Sequence, residues 1–310
     1  MDALVTLVGL GALILGAELM IRGAVELALR ARISPLVVGL TVVSLGTSVP
    51  ELLVSLLAAL RGSPALAIGN VVGSNVANIS LVLGASLLVF PIEVDRDARR
   101  IHWPVMMVVS LAFVAMLWDD VISRLEGGGF LLLLCAYVVG LIRASRRSKR
   151  PEGAIPPVAA VPLWRSLIYL ILGVAILGVG ADQFVEGSVG LARSFGVSDR
   201  LIGLTIVAVG TSLPELITSL MAAFRRQPDI SLGNLIGSNI FNQLGIIGVT
   251  SVIHPISIDH SIFLPDLGAM LLVALLLLPL MPRRRRMGRL QGGVLFAFYV
   301  IYMYLVVQRG

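Results

Sequence analysis

Apolar residues in this chain come in long blocks rather than in the alternating or one-faced patterns of a soluble fold. Ten such runs lie at roughly 3–29, 34–60, 65–90, 101–118, 127–144, 164–192, 199–224, 229–253, 261–281 and 290–307. Each is close to the ~20 residues a helix needs to cross a hydrocarbon core ~30 Å thick. The pattern predicts an all-α integral membrane protein of ten transmembrane helices. Composition agrees: 57% of the 310 residues are hydrophobic and 14% charged, too little polar surface to cover a water-soluble globule of this size. The chain opens "MDALVTLVGLG", acidic rather than basic and without a small-residue cleavage site. Its first run therefore reads as a retained helix rather than a signal peptide. Cys135 stands alone in an apolar run, which leaves no disulfide framework and no thiolate metal site.

The net charge of +6 changes the picture through its distribution. The cluster "RASRRSKR" at Arg143 to Arg150 joins the fifth and sixth runs, and cytoplasmic loops are enriched in Lys and Arg. With ten crossings, the loops on that side carry 18 of the 24 basic residues and the opposite side carries 5, with Arg22 inside the first run. Both termini are expected outside, in a multi-pass protein of the inner or plasma membrane. The basic excess is a topology signal and a potential contact for anionic lipid, and no nucleic-acid partner is expected.

A shift of 164 residues lays Gly39–Gly84 over Gly203–Gly248 without a gap, with 23 of 46 positions identical. Upstream, Gly9, Gly16 and Gly23 meet Gly173, Gly180 and Gly187, and Glu18 meets Asp182. A unit of five crossings is odd, so its second copy enters the membrane from the opposite side. The organisation expected is a first five-helix repeat at 1–144, a cytoplasmic linker at 145–163 and a second, inverted repeat at 164–310. Such halves meet at the bilayer midplane, where discontinuous helices hold substrate.

"GTSVPE" at Gly46 to Glu51 recurs as "GTSLPE" at Gly210 to Glu215. Proline inside a spanning helix removes one backbone donor and clashes with the preceding turn. Pro50 and Pro214 are therefore expected to break their helices and leave carbonyls near Ser44 to Gly46 without donors. Glu51 and Glu215 are acids that membrane insertion penalises by at least about 2.5 kcal/mol. Neither block contains lysine, and a bound cation is the natural partner. Thr47, Glu51 and Ser55 share a helical face, as do Thr211, Glu215 and Ser219. In the next run Asn70, Ser74 and Asn78 form a stripe, matched by Asn234, Ser238 and Asn242. Each of these side chains offers oxygen, the ligand type of a hard cation such as Ca²⁺, whereas zinc or copper would want imidazole or thiolate. His102, His254 and His260 read as interfacial. Thr47, Ser48, Thr211 and Ser212 could also cap half-helices, and Glu18, Asp182 and Glu186 suit either a vestibule or an interhelical hydrogen bond. No HExxH motif and no paired intramembrane aspartates appear, so an enzyme is not expected.

The doubled GTSxPE followed by GSNxxN resembles the α-repeats of the cation/calcium exchanger superfamily, in its sodium/calcium exchanger branch. That resemblance implies broken helices 2, 3, 7 and 8 around a central ion site, across which helices 1 and 6 slide. It implies that Glu51 and Glu215 are carboxylates shared by Ca²⁺ and Na⁺, with Thr47, Ser48, Thr211, Ser212, Ser74 and Ser238 adding oxygens. Asn78 and Asn242 would complete the middle of the site, and the carbonyls of Ser44 and Ala208 would reach outer sodium positions. Relatives that depend on potassium carry Asp where this chain has Asn242. The function implied is a Na⁺/Ca²⁺ antiporter working by alternating access. An H⁺/Ca²⁺ antiporter and a passive cation channel are the alternatives. Cofactors and an obligatory protein partner are not expected, and the partners are Ca²⁺, Na⁺ and the lipid bilayer.

Overall fold

The computed structural model describes residues 1–31, 33–147, 162–196, 208–258, 260–282 and 286–309. It is helical nearly throughout. In chain order the helices are α1 (Asp2–Ala31), α2 (Pro35–Thr47), α3 (Val49–Leu60), α4 (Pro64–Val89), α5 (Ala98–Asp119), α6 (Arg124–Arg147), α7 (Leu163–Ser194), α8 (Leu213–Phe224), α9 (Pro228–Ile253), α10 (Leu264–Leu280) and α11 (Arg289–Arg309). Among the described residues, seven helices are long and apolar enough to cross a membrane, or eight if α2 and α3 form one bent span. α8 and α10 are shorter apolar helices. Residues 148–161 of the expected linker and Gly203 to Val207 of the second block lie outside the described residues.

The solvent preference is inverted relative to a soluble protein. Leu132 and Ile171 are 73% and 67% exposed, while Ser44, Thr47, Ser48, Glu51, Ser219 and Asn239 are buried at 1% or less. Lipid accepts the apolar side chains, and polar groups must find partners inside the bundle.

α1 and α7 form a long antiparallel pair. Gly9, Gly16 and Gly23 recur every seventh residue, a spacing that keeps them on one seam. A Cβ at these positions would meet the carbonyls of Gly180, Gly173 and Ser166 at 2.9, 2.9 and 2.8 Å. The backbones therefore touch directly, as small-residue membrane interfaces allow. Glu26 ties the pair at one end, accepting from Arg165 at 2.7 Å and from Ser166 Oγ at 3.0 Å. A second close crossing joins the halves, where Gly39 on α2 meets Gly233 on α9. A Cβ on Gly39 would stand 2.6 Å from the Ile230 carbonyl, and one on Gly233 would stand 2.6 Å from the Leu36 carbonyl.

Backbone geometry repeats along with sequence. α2 ends at Ser48 with φ −86° and ψ 4°, and Ser212 has φ −89° and ψ 6°. Pro50 and Pro214 sit in the first turns of α3 and α8, where a missing N–H costs least. The axes of α2 and α3 differ by 46°. The following turns also match: Gly62 and Arg226 both have positive φ, 74° and 56°, and Ser63 and Gln227 follow at φ −116° and −115°.

The expected breaks in the third and eighth runs are corrected. α4 and α9 are continuous, and each is widened by one π turn, at Asn78–Val82 and Asn242–Ile246. Their prolines, Pro64 and Pro228, lie in the first turns and cannot cut the ladder further on. A π turn relieves it locally instead. His102 is also corrected: rather than lying at the interface it is buried at 3%, in contact with Tyr137 of α6, whose hydroxyl is 3.2 Å from Nδ1. His254 is exposed.

Two short antiparallel ribbons tie distant loops. Ile92–Glu93, after α4, pairs with Arg286–Met287, before α11. Val121–Ile122, after α5, pairs with Ile256–Ser257, after α9.

Candidate functional site

The two helix breaks and the two π turns converge in the middle of the bundle. Ser48 and Ser212 occupy the positions that would cap α3 and α8, yet neither makes a side-chain cap. Ser48 Oγ donates instead to Glu215 Oε1 at 3.3 Å, across 167 residues of sequence. Capping alone is thereby excluded for Ser48. Its hydroxyl faces the opposite half because the 46° bend turns the start of α3 out of line with α2.

Around this bond the polar side chains form a continuous set. Thr47 Oγ1 donates to Asn234 Oδ1 at 3.2 Å and lies 3.5 Å from Ser238 Oγ. Asn234 Nδ2 donates to Ser219 Oγ at 3.2 Å, and its counterpart Asn70 donates to Ser55 Oγ at 2.9 Å and to the Glu51 carbonyl at 3.2 Å. These bonds hold each glutamate-bearing helix to the helix that follows it. Asn242 Nδ2 donates to Asn75 Oδ1 at 3.4 Å, joining the two π-turn helices. Ser74, Asn78, Ser212 and Ser238 are buried, whereas Thr211 is half-buried. The Thr47 and Thr211 pair is therefore not equivalent in this conformation.

Several oxygens in this set have no donor. Glu51 Oε2, Glu215 Oε2, Asn78 Oδ1, Asn242 Oδ1 and Ser212 Oγ are buried without a hydrogen-bond partner. A buried acceptor left unmatched is destabilising by about 1–3 kcal/mol, and more if charged. Ser48, three residues before Glu51, links the two sites through its bond to Glu215. Among the described residues, no Lys, Arg or His forms an ion pair with either glutamate. Two acids, three further oxygens and no basic partner make an environment complementary to a dehydrated hard cation.

The two expected carbonyls differ. Ser44 O already accepts from Ser48 N at 3.0 Å. The expectation of unmatched carbonyls is corrected there, because Pro50 removes a donor from Gly46, four residues before it, and not from Ser44. In the second half Ser212 N bonds Val209 O at 3.1 Å. The donor that an unbroken helix would send to Ala208 goes one residue further along.

Motif spacing missed Asn75 and Asn239, both buried, because neither lies on the Asn-Ser-Asn stripe. Their signal was the duplicated GSN itself. Gln243 was also missed: it is buried, donates to Ser110 Oγ at 3.0 Å and has an unmatched Oε1. Its counterpart in the first half is Ile79, so duplication gave no hint of it. Glu18, one of the acids left open above, is ion-paired with Arg22 and Arg225.

The chain matches the family described as sodium/calcium exchanger protein over residues 1–143 and 165–308. CaxA of Alkalimonas amylolytica, which carries the name antiporter, is 40% identical over 310 residues, covering 97% of this chain and 97% of its own length. The sodium/calcium exchanger MaX1 of Methanosarcina acetivorans is 30% identical, with 97% of each chain covered. Among solved structures, the sodium-calcium exchanger NCX_Mj soaked with Na⁺ and Ca²⁺ superposes with a TM-score of 0.82 at 32% identity, over 98% of this chain and 97% of that one. A more distant relative, the Ca(2+)/H(+) antiporter ChaA of Bacillus subtilis, is 25% identical over 86% of this chain and 82% of its own.

Proposed function

This chain is a member of the sodium/calcium exchanger protein family, and from that premise we propose that it is a secondary antiporter exchanging Na⁺ for Ca²⁺ by alternating access. The observation that carries the proposal is the pair Glu51 and Glu215, one from each half, buried with an unmatched oxygen apiece and no basic partner among the described residues. Two carboxylates suit one divalent ion or a few monovalent ones. The same oxygens cannot hold both loads, and that competition couples the fluxes. Glu51 and Glu215 are the central ligands in this proposal. Thr47, Ser48, Thr211, Ser212, Ser74, Ser238, Asn78 and Asn242 surround them, and the Ala208 carbonyl serves an outer Na⁺ position. NCX_Mj, soaked with Na⁺ and Ca²⁺, supports these ions as cargo.

The architecture we propose is ten crossings in two inverted repeats, 1–144 and 164–310, with a cytoplasmic linker at 145–163 and both termini outside. The two ribbons support it. α5 runs from the Ile92–Glu93 ribbon to the Val121–Ile122 ribbon, so the ribbons cap opposite membrane faces. α10 leaves the second ribbon and returns to the first, so its 17 residues serve as a crossing despite their length. Each ribbon joins one strand from either half, as an inverted duplication requires.

The test is uptake of radioactive Ca²⁺ into proteoliposomes with Na⁺, K⁺ and H⁺ gradients imposed separately. Uptake driven by Na⁺, and its loss in Glu51→Gln and Glu215→Gln, is expected. Undiminished exchange in both variants would reject the site. Uptake driven by the H⁺ gradient alone would favour the second reading, an H⁺/Ca²⁺ antiporter, for which the similarity to ChaA speaks.

A further inference from the structure

We propose that two charge clusters related by the internal repeat act as alternating ionic latches between the α1–α7 pair and the rest of the bundle, one formed in each access state. The proposal rests on the alternating-access reading above.

The first latch is formed in this structure. Glu18 lies in the middle of α1, 15% exposed, in an otherwise apolar stretch. Arg225, at the end of α8, donates to it through two nitrogens, Nε to Oε2 at 2.8 Å and NH2 to Oε1. Arg22, one turn along α1, donates Nε to Oε1 at 2.5 Å. The bond from Arg225 is a two-pronged guanidinium–carboxylate contact, the strongest ion-pair geometry available to side chains. It joins a residue of the long pair to a residue 207 positions away that follows directly on the helix bearing Glu215. Phe224, beside Arg225, packs edge-on against Phe90 with ring centroids 4.5 Å apart. The latch therefore lies on the membrane face of the Ile92–Glu93 ribbon.

The second latch follows from the 164-residue shift. Glu18 maps to Asp182 on α7, Arg22 to Glu186 and Arg225 to Arg61, the residue that ends α3. The charges of the triad are inverted. One acid between two arginines becomes one arginine facing two acids, and attraction is retained across the same interface. The turns carrying Arg61 and Arg225 have matching backbones, with positive φ at Gly62 and Arg226. α4 carries the chain from the Arg61 turn to the Ile92–Glu93 ribbon, so the second cluster lies on the opposite face. Here Arg61, Asp182 and Glu186 are all exposed, and none makes an ion pair among the described residues. One latch is closed and its counterpart open, as expected if displacing the long pair breaks one and forms the other. No other charged side chain of α1 bonds to α8 among the described residues. The tie from Glu26 to Arg165 lies within the pair and moves with it.

Two measurements test this. In oriented proteoliposomes, the Ca²⁺ concentration for half-maximal exchange is read from each face. Glu18→Gln should lower it about three- to tenfold at the Ile92–Glu93 face and raise it at the other, because weakening one state transfers population to its opposite. Asp182→Asn should shift both values the other way, and the swap Glu18→Arg with Arg225→Glu should restore the parent values. The second measurement needs no transport. In a Cys135→Ser background, a bifunctional maleimide is applied to Glu18→Cys/Arg225→Cys and to Arg61→Cys/Asp182→Cys, and the two cross-linking yields should move in opposite directions as Na⁺ is exchanged for Ca²⁺. Loss of Na⁺-driven uptake in the parent would count against the antiporter reading and leave the cross-linking result to stand alone. Glu18→Gln and Asp182→Asn shifting the two faces alike, or the two yields moving together, would overturn the latch.

Discussion

Replacing Glu51 by glutamine keeps the shape of the side chain and removes its charge. In the parent, Glu51 is 1% exposed and one carboxyl oxygen has no partner among the described residues. With choline as the only cation, losing a buried charged acceptor should stabilise the fold by about 1–3 kcal/mol. With Ca²⁺ that advantage shrinks. At an effective dielectric of about 20, a unit charge pair 4 Å apart contributes about 4 kcal/mol, so a divalent ion loses about 8 kcal/mol of attraction. If solvation of the free ion offsets three quarters of that, about 2 kcal/mol remains, a roughly thirtyfold weaker affinity. The parent at a hundredfold excess over its dissociation constant gains about 2.7 kcal/mol, most of which the variant forfeits. Thermal unfolding in detergent, followed from EGTA through a Ca²⁺ titration, should show the variant melting above the parent without Ca²⁺ and gaining clearly less than the parent as Ca²⁺ is added. Equal Ca²⁺-induced shifts in both proteins would refute the assignment of Glu51 as a ligand.

Three further outcomes follow from the same geometry. Ser48→Ala removes the hydroxyl that donates to Glu215 across the halves and should raise the half-saturating Ca²⁺ concentration about tenfold, at about 1–3 kcal/mol per lost partner; unchanged saturation in the uptake assay would contradict it. Gly16→Ala would push a Cβ to 2.7 Å from Leu177 N, whereas the same change at Gly11 meets nothing within 4 Å. The first should destabilise by about 1–3 kcal/mol and the second by under about 0.5 kcal/mol, read as melting temperatures in detergent, and equal values would sink the backbone-contact account of α1 and α7. Gly233→Ala places its Cβ 2.6 Å from the Leu36 carbonyl and should abolish exchange while the helical content is retained, checked by uptake alongside circular dichroism; parent-level uptake would show that the α2–α9 crossing can open.

The periodic features of this protein were legible in the sequence by itself. Apolar runs mark the helices because lipid selects on length and hydropathy alone. The duplication exposed Glu51 and Glu215, since chance does not repeat 23 of 46 positions. The glycines of the first and sixth runs stood out for the same reason, since they repeat under the same shift. Only the tertiary structure decided who meets whom. Ser48 bonds Glu215 across 167 residues and Arg225 reaches Glu18 across 207, distances over which local periodicity carries no information. The π turns at Asn78–Val82 and Asn242–Ile246 were not foreseen from the apolar runs, which carry no information on the local helix pitch. Burial of His102 under Tyr137 was set by the course of α6, which no spacing in the first repeat encodes. Periodicity is a property of one helix, whereas the partner of a side chain depends on how helices from both halves are packed together.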